Sequence, residues 1–381
     1  MASPSNTAPF SAPPSSIDVT GFDPQPESPL FSVLPGEVRN QIFELALIQH
    51  DDDDDDEASA YPKDSYWYRP GFRGPRRSSS SLLRTCKLAY SECKQVFLRE
   101  QEFAFWFDRG PEGRTGSDSC ELFFLGLTEE QSRDLRRVRF FTQMFWLEGG
   151  DNLAFLFSMP LFRPESLTVT VRYSDWWHWE MDAPLRMGED WLRGFRGPPG
   201  LRELRVEYET LAGKRDEMMR IVERNKKWKL AVGGRRGAGR DEDGAEVDVW
   251  DEDEGGYLSA EGTALEEWRW TGASRLGGRA WLHHGEGDTV EYVVVTDTWK
   301  FVEGAMSEGD RARRFEQRLD RKRSIYRAMD DGNASGPRET DLHTRIAQRK
   351  LDLTRRADRH RRTRGESSPH VQARLLSMAL H

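Results

Sequence analysis

The chain has 381 residues, 32% of them charged and 36% hydrophobic, with a formal net charge of −9. That length holds one large domain or two modest ones, and the high charged fraction predicts one folded core with disordered flanks. No apolar run is long enough for a membrane span and no signal-peptide pattern opens the chain, so an intracellular protein of the cytoplasm, the nucleus or both is expected. The cysteines Cys86, Cys93 and Cys120 suit a reducing compartment, and their spacing matches no zinc pattern.

Residues 1–27 are rich in Ser, Pro and Ala and read as a disordered tail. Phe31 to Gln49 then reads FSVLPGEVRNQIFELALIQ. Leu34-Pro35 opens a helix, since proline suits the first turn; Ser32 is the expected N-cap, and Glu37 favours the helix dipole. Val38, Ile42 and Leu45, with Phe43, Ala46 and Leu47, recur at three- and four-residue spacings, as in one apolar stripe. A second helix is predicted over Ser80 to Leu98, with Cys86 and Cys93 as buried thiols on its apolar face. The two helices would pack as a hairpin.

Between them, residues 50–79 form an insertion. Asp51 to Asp56 is a run of six aspartates, which repels itself and lacks the spacing of a calcium loop. Tyr66 to Arg77 (YWYRPGFRGPRR) is aromatic and basic. It reads either as a loop laid over the domain by its rings, the preferred reading, or as a stacking surface for single-stranded nucleic acid.

LPGEVRNQIFELAL followed by LLRTCKLAYSE resembles the F-box-like N-terminus of a large group of uncharacterised filamentous-fungal proteins. Those proteins share a Leu-Pro-x-Glu-[Ile/Val]-Arg start and a Leu-Leu-Arg-Thr-Cys-[Arg/Lys] second helix. The likeness covers roughly residues 31–107. It implies an F-box-like hairpin at 28–100 that docks on the Skp1 adaptor of a cullin ubiquitin ligase, with Leu34, Pro35, Val38, Ile42 and Leu45 facing the adaptor. The alternative is a hairpin that only caps the domain.

From residue 101 to 303 strand and helix signals alternate. Phe103 to Phe107, Leu135 to Phe141, Ser166 to Tyr173, Leu201 to Glu207 and Trp228 to Val232 read as strands. Asp151 to Ser158, Leu185 to Phe195 and Lys214 to Lys227 read as helices. Strand starts near Leu135, Leu167 and Leu201 are a little over thirty residues apart. This resembles an irregular leucine-rich-repeat arrangement, with an ordinary open α/β sheet as the alternative. Residues 233–256 are glycine-rich and charged and read as a flexible insertion. Leu265 to Trp270 and Thr289 to Thr296 read as an antiparallel pair at the sheet edge, with Trp299 the last core residue.

Beyond Gly304 the composition turns basic. Arg311 to Arg364 carries 18 Lys/Arg against 8 Asp/Glu, a local charge of +10 on a chain of −9. A helical or disordered tail is expected over 304–381. Arg321, Lys322, Arg323, Arg355, Arg356, Arg361 and Arg362 are candidates for nuclear import or phosphate contact.

No catalytic centre is legible. GPEGRTGSDS at 110–119 lacks the Lys-Ser/Thr ending of a P-loop, and no G-x-S-x-G elbow occurs. Asp175-Trp176-Trp177-His178-Trp179-Glu180 reads as an acid–base cluster under indoles or as a clamped loop. His283-His284 on a strand would point to opposite faces, which argues against a shared metal. The expected fold is therefore α/β or α+β: an F-box-like helical hairpin, then irregular leucine-rich-repeat-like strand/helix units, flanked by tails. The expected function is a non-catalytic protein–protein interaction adaptor, with a Skp1-like adaptor and an unknown protein substrate as partners. No cofactor, metal or membrane is expected, and nucleic acid is not favoured. The rivals are a scaffold with a structural hairpin and a nucleic-acid-associated protein using the basic tail.

Overall fold

A computed structural model describes residues 23–47, 50–51, 60–77, 81–111, 115–149, 152–159, 161–240, 246–251 and 256–313. Helix α1 (Gly36–Leu47) and helix α2 (Lys87–Glu100) lead into the body. The body alternates strands with short helices: β1 (Glu102–Trp106), α3 (Ser117–Leu125), α4 (Glu129–Asp134), β2 (Arg137–Phe141), α5 (Met144–Glu148), α6 (Asn152–Phe157) and β3 (Ser166–Val171). It continues through α7 (Asp190–Arg193), β4 (Arg196–Gly197), β5 (Glu203–Leu211), α8 (Arg215–Asn225), β6 (Leu230–Val232), β7 (Tyr257–Ser259), β8 (Glu266–Ala273) and β9 (Thr289–Val302).

All nine strands join one curled, mixed sheet, in the order β1-β2-β3-β5-β9-β7-β6-β4, with β8 paired to β9 off that path. β1, β2, β3 and β5 are parallel neighbours, each reached over a helical connection. The alternation stops at β5, because β9 runs antiparallel to it from Tyr292–Leu211 to Lys300–Glu203. The strand pair expected at the sheet edge does form, Glu266 opposite Thr296 through Ala273 opposite Thr289. Its β9 member, however, is the spine of the sheet. β9 is 14 residues long, so one edge holds β5 while the other holds β8 and then β7. Within the segment 233–256, read from the sequence as a flexible insertion, Gly234–Arg240 and Glu246–Asp251 pair as an antiparallel ribbon.

The two faces of the sheet differ. Side chains alternate along β5, so Leu204, Val206 and Tyr208 share one face. They are fully buried and join the main core with Trp299 and with Met218, Ile221 and Val222 of α8. The opposite face is ionic. Arg139 of β2 donates to Glu102 at 2.9 Å and pairs with Glu207 at 2.7 Å. The segment 60–77 covers this face. Arg69 is only 2% exposed and donates to Glu207 at 3.2 Å, with its guanidinium over Phe141 and Trp268. Phe72 stacks edge-on against Trp106 and Phe141. The aromatic-basic stretch is thus a cover held by its rings, and Arg69 is spent inside it.

The helical pair belongs to the same core. Phe43 and Leu47 of α1 and Cys93, Phe97 and Leu98 of α2 cluster with the body. The second helix starts later than its periodicity predicts. Leu82–Arg84 is a separate 3-10 turn, and Cys86 caps α2 through Sγ, which accepts from Ala89 N at 3.4 Å. Cys93 and Cys120 are buried, but Cys86 is only half-buried because its thiol serves the cap. Residues 308–313 are helical and return to the body, where Lys229 pairs with Asp310 at 3.1 Å and Arg313 lies over Trp228.

Candidate functional site

Helix α1 is built from its proline outward. Pro35 lacks a donor, and its carbonyl accepts from Val38 N at 3.1 Å and Arg39 N at 3.0 Å, which opens the first turn. Ser32 does not cap this helix. It ends a separate turn, Pro29–Ser32, and its hydroxyl donates back to Ser28 O at 2.8 Å. Arg39 then makes three hydrogen bonds. Nε and Nη2 grip both oxygens of Glu92 on α2 at 2.9 and 2.8 Å, and Nη1 holds Leu34 O at 2.7 Å. At the far end, Gln101 Nε2 donates to Leu47 O at 2.5 Å, satisfying one of the carbonyls that a helix end leaves open.

The single apolar stripe expected for α1 divides in two. Phe43 and Leu47, four residues apart, are fully buried. Val38, Ile42 and Leu45 lie on a neighbouring face and are 39%, 39% and 74% exposed. Pro35 and Ala46 are exposed beside them, Val33 is 73% exposed, and Leu34 is half-buried. A helical residue advances about 100° along the wheel, so Ile42 and Phe43 point to different sides although both fit the three-to-four spacing. Of the five residues expected to face an adaptor, four form an exposed apolar strip and the fifth, Leu34, sits at its margin.

The basic candidates Arg321, Lys322, Arg323, Arg355, Arg356, Arg361 and Arg362 lie outside the described residues, as does most of the Asp51–Asp56 run. Among the described residues no helix is long and apolar enough to cross a membrane, and no group of three or more His, Cys, Asp or Glu is placed to hold a metal ion.

The Asp175–Glu180 stretch does not gather its polar groups. Asp175 is buried and accepts from Arg172 N at 2.9 Å, Nε at 2.7 Å and Nη2 at 3.0 Å. Burial pushes its carboxyl upward, against the downward pull of the Arg172 guanidinium. Arg172 in turn donates to the carbonyls of Tyr66, Asp108 and Arg109, so the pair fastens the covering segment to the sheet. Glu180 pairs with Arg109 at 3.2 Å, while His178 is exposed. The indoles donate outward from the stretch, Trp176 to Glu209 O and Trp177 to Glu148, each at 2.8 Å. The clamped-loop reading is the one the geometry fits.

One grouping has no counterpart in the sequence reading. His283 and His284 sit in a 3-10 turn, Leu282–His284, and not on a strand. Their rings therefore do not face opposite ways. Both Nε2 atoms reach the hydroxyl of Tyr173, His283 at 2.5 Å and His284 at 3.0 Å. Tyr173 lies two residues past the end of β3 and is 2% exposed. Burial raises its phenol well above the ordinary tyrosine range. Burial lowers the His283 imidazole, as does the neighbouring His284. No local signal ties position 173 to positions 283 and 284, more than a hundred residues away.

No protein-family model, no curated protein and no solved structure matches the chain.

Proposed function

We propose that the chain is a non-catalytic interaction adaptor of F-box-like type, whose α1 strip docks on a Skp1-type partner while the α/β body captures a protein substrate. The observation that carries this reading is the exposure of Pro35, Val38, Ile42 and Leu45 on a helix whose other large apolar residues, Phe43 and Leu47, are fully buried. A helix that served only to cap the body would bury its large apolar residues and turn polar ones to water. Leaving a contiguous apolar strip in water forfeits about 25 cal/mol for each Å² of surface that a partner would cover. Such strips mark interaction sites on soluble proteins. The Arg39–Glu92 pair supports the same reading, because it fixes α1 on α2 without using the exposed side chains. The leucine-rich-repeat-like character suggested by the strand spacing belongs to this proposal. In it, the four parallel strands β1, β2, β3 and β5 and their helical connections form the substrate-presenting half.

The test is a pull-down of the full chain against purified fungal Skp1, beside a Pro35→Ala, Ile42→Glu double variant whose fold is checked by circular dichroism. Binding by the wild type and its loss in the folded variant support recruitment. Absence of binding by the wild type overturns the adaptor reading and leaves the hairpin a structural element.

A further inference from the structure

Two imidazoles and a phenol converge at the carboxyl end of β3, where ligands of open α/β sheets commonly bind. We propose that Tyr173, His283 and His284 form a binding site for a borderline divalent transition-metal ion of the zinc or copper class. This is independent of the adaptor reading, since it involves neither α1 nor its partner.

The geometry comes first. His283 Nε2 and His284 Nε2 lie 2.5 and 3.0 Å from the same Tyr173 oxygen. Around a tetrahedral ion with bonds of about 2.0–2.1 Å, neighbouring donor atoms stand roughly 3.3 Å apart. The two oxygen–nitrogen separations need to widen by only about 0.8 and 0.3 Å to match two edges of such a site. The imidazole planes are 84° apart with centroids at 4.7 Å, so the two Nε2 atoms approach Tyr173 from rings that do not overlap.

The supporting contacts follow the pattern of metal-ligating histidines. His284 Nδ1 lies 2.5 Å from Ser274 O. A carbonyl only accepts, so Nδ1 carries the proton and Nε2 presents its lone pair towards Tyr173. An outer hydrogen bond of this kind to a backbone carbonyl fixes ring tautomer and orientation in metal sites. An aromatic wall adds a low dielectric: Trp179 lies 5.3 Å and Tyr292 5.8 Å from the Tyr173 ring, and Trp281 lies 6.4 Å from the His283 ring. The turn beside the site holds two non-glycine residues in left-handed backbone, His178 at φ 54° and Asp182 at φ 53°. Such conformations persist where surrounding structure enforces them. Asp182, on that turn, is held by Lys214 at 2.6 Å.

The proton order follows. Without an ion, Tyr173 donates its hydroxyl proton to His284 Nε2, and His283 donates from Nε2 to the Tyr173 oxygen. On binding, both Nε2 lone pairs turn to the ion, and His283 carries its proton on Nδ1. The phenol O–H breaks, the oxygen binds as phenolate, and one proton leaves to solvent for each ion. A two-imidazole, one-phenolate set suits zinc or copper. Calcium and magnesium prefer all-oxygen shells. His283 is only half-buried, so solvent reaches one of the three side chains.

The experiment uses the full chain stripped with chelator, titrated with Zn²⁺ and separately with Cu²⁺. Binding is followed by calorimetry, and bound metal is counted by elemental analysis after dialysis. One ion per chain is expected. Affinity should fall by at least about a hundredfold in both Tyr173→Phe and His283→Ala, because losing only an outer partner of a ligand already costs about 10–100-fold. The Cu²⁺ form should show a tyrosinate-to-copper charge-transfer band that Tyr173→Phe lacks. Near-ultraviolet circular dichroism checks each fold, and His283→Gln replaces His283→Ala if the latter does not fold. No bound ion, or equal affinity in wild type and both variants, overturns the proposal. Equal affinity assigns any bound ion elsewhere, such as the Asp51–Asp56 run.

Discussion

The two faces of the sheet are both buried, by different physics. On one, Leu204, Val206, Tyr208 and Trp299 meet α8 and other apolar side chains, and burial of hydrocarbon is enough. On the other, buried Glu207 and Glu209 and half-buried Glu102 and Arg139 lie under a segment contributed from far away in sequence, which brings the buried Arg69. Apolar packing degrades gradually when a group is removed. A buried ionic set fails abruptly, because deleting one member strands the others.

The largest expected effect tests that difference. Arg139→Ala leaves Glu102 and Glu207 without their shared guanidinium, and should destabilise the fold by about 3–5 kcal/mol. Leu204→Ala, on the opposite face of the same sheet, should cost about 2–5 kcal/mol as a cavity. Urea unfolding at neutral pH measures both. The informative comparison is low pH, where the Arg139→Ala penalty should shrink as the carboxylates protonate and the Leu204→Ala penalty should not. Equal pH dependence in the two variants would show that the charged face carries no ionic stabilisation.

Each face also holds a carboxylate with a displaced titration, and the displacements have opposite sign. Burial alone would raise Glu207, but Arg139 and Arg69 overcome it and hold the carboxyl at about 2. A lowered folded value means stability that is present above the ordinary glutamate range and is lost as pH falls through about 2. Asp297, on the apolar face of β9, is fully buried with Oδ2 unpartnered, and burial pushes it up to about 6. Its protonated form is favoured in the fold, so that contribution is complete below about 4 and is lost as pH rises through about 6. Raising a carboxyl from the ordinary aspartate range to about 6 corresponds to roughly 3 kcal/mol. Asp297→Asn should therefore stabilise the chain by up to about 3 kcal/mol at pH 8 and by little at pH 4. Thermal unfolding at the two pH values measures this, and a constant difference would remove Asp297 as the source.

How far the sequence showed all this depended on how local the cause was. β3 was legible because Thr-Val-Thr-Val is both β-prone and alternating, and α8 because its apolar residues keep helical spacing. The charged face was not. Arg205, Glu207 and Glu209 alternate with apolar residues as a solvent-facing edge would, and their cover comes from Arg69, 138 positions from Glu207. The spine position of β9 was hidden for the same reason, since sheet order is set by long-range pairing and not by the strand's own residues. His283-His284 failed on local geometry: a strand period was assumed where Trp281 to Gly285 forms a tight turn. The apolar strip of α1 was legible residue by residue. Its division into a buried and an exposed side was not, because that depends on where α2 and the body stand.

That division gives the smallest expected effect and the sharpest contrast. Ile42 and Phe43 are adjacent on α1 and both apolar, yet one is 39% exposed and the other fully buried. Phe43→Ala removes a ring packed in the main core and should cost about 3–5 kcal/mol. Ile42→Glu places a charge where water already reaches and should change stability by no more than about 0.5 kcal/mol. Leu45→Glu should behave likewise, given its 74% exposure. Chemical denaturation of the three variants decides the matter. If Ile42→Glu proves as costly as Phe43→Ala, the outer face is part of the core, and the docking strip proposed for α1 loses its physical basis. If it is neutral, the helix keeps apolar side chains in water that the fold does not need, as the docking strip proposed for α1 requires.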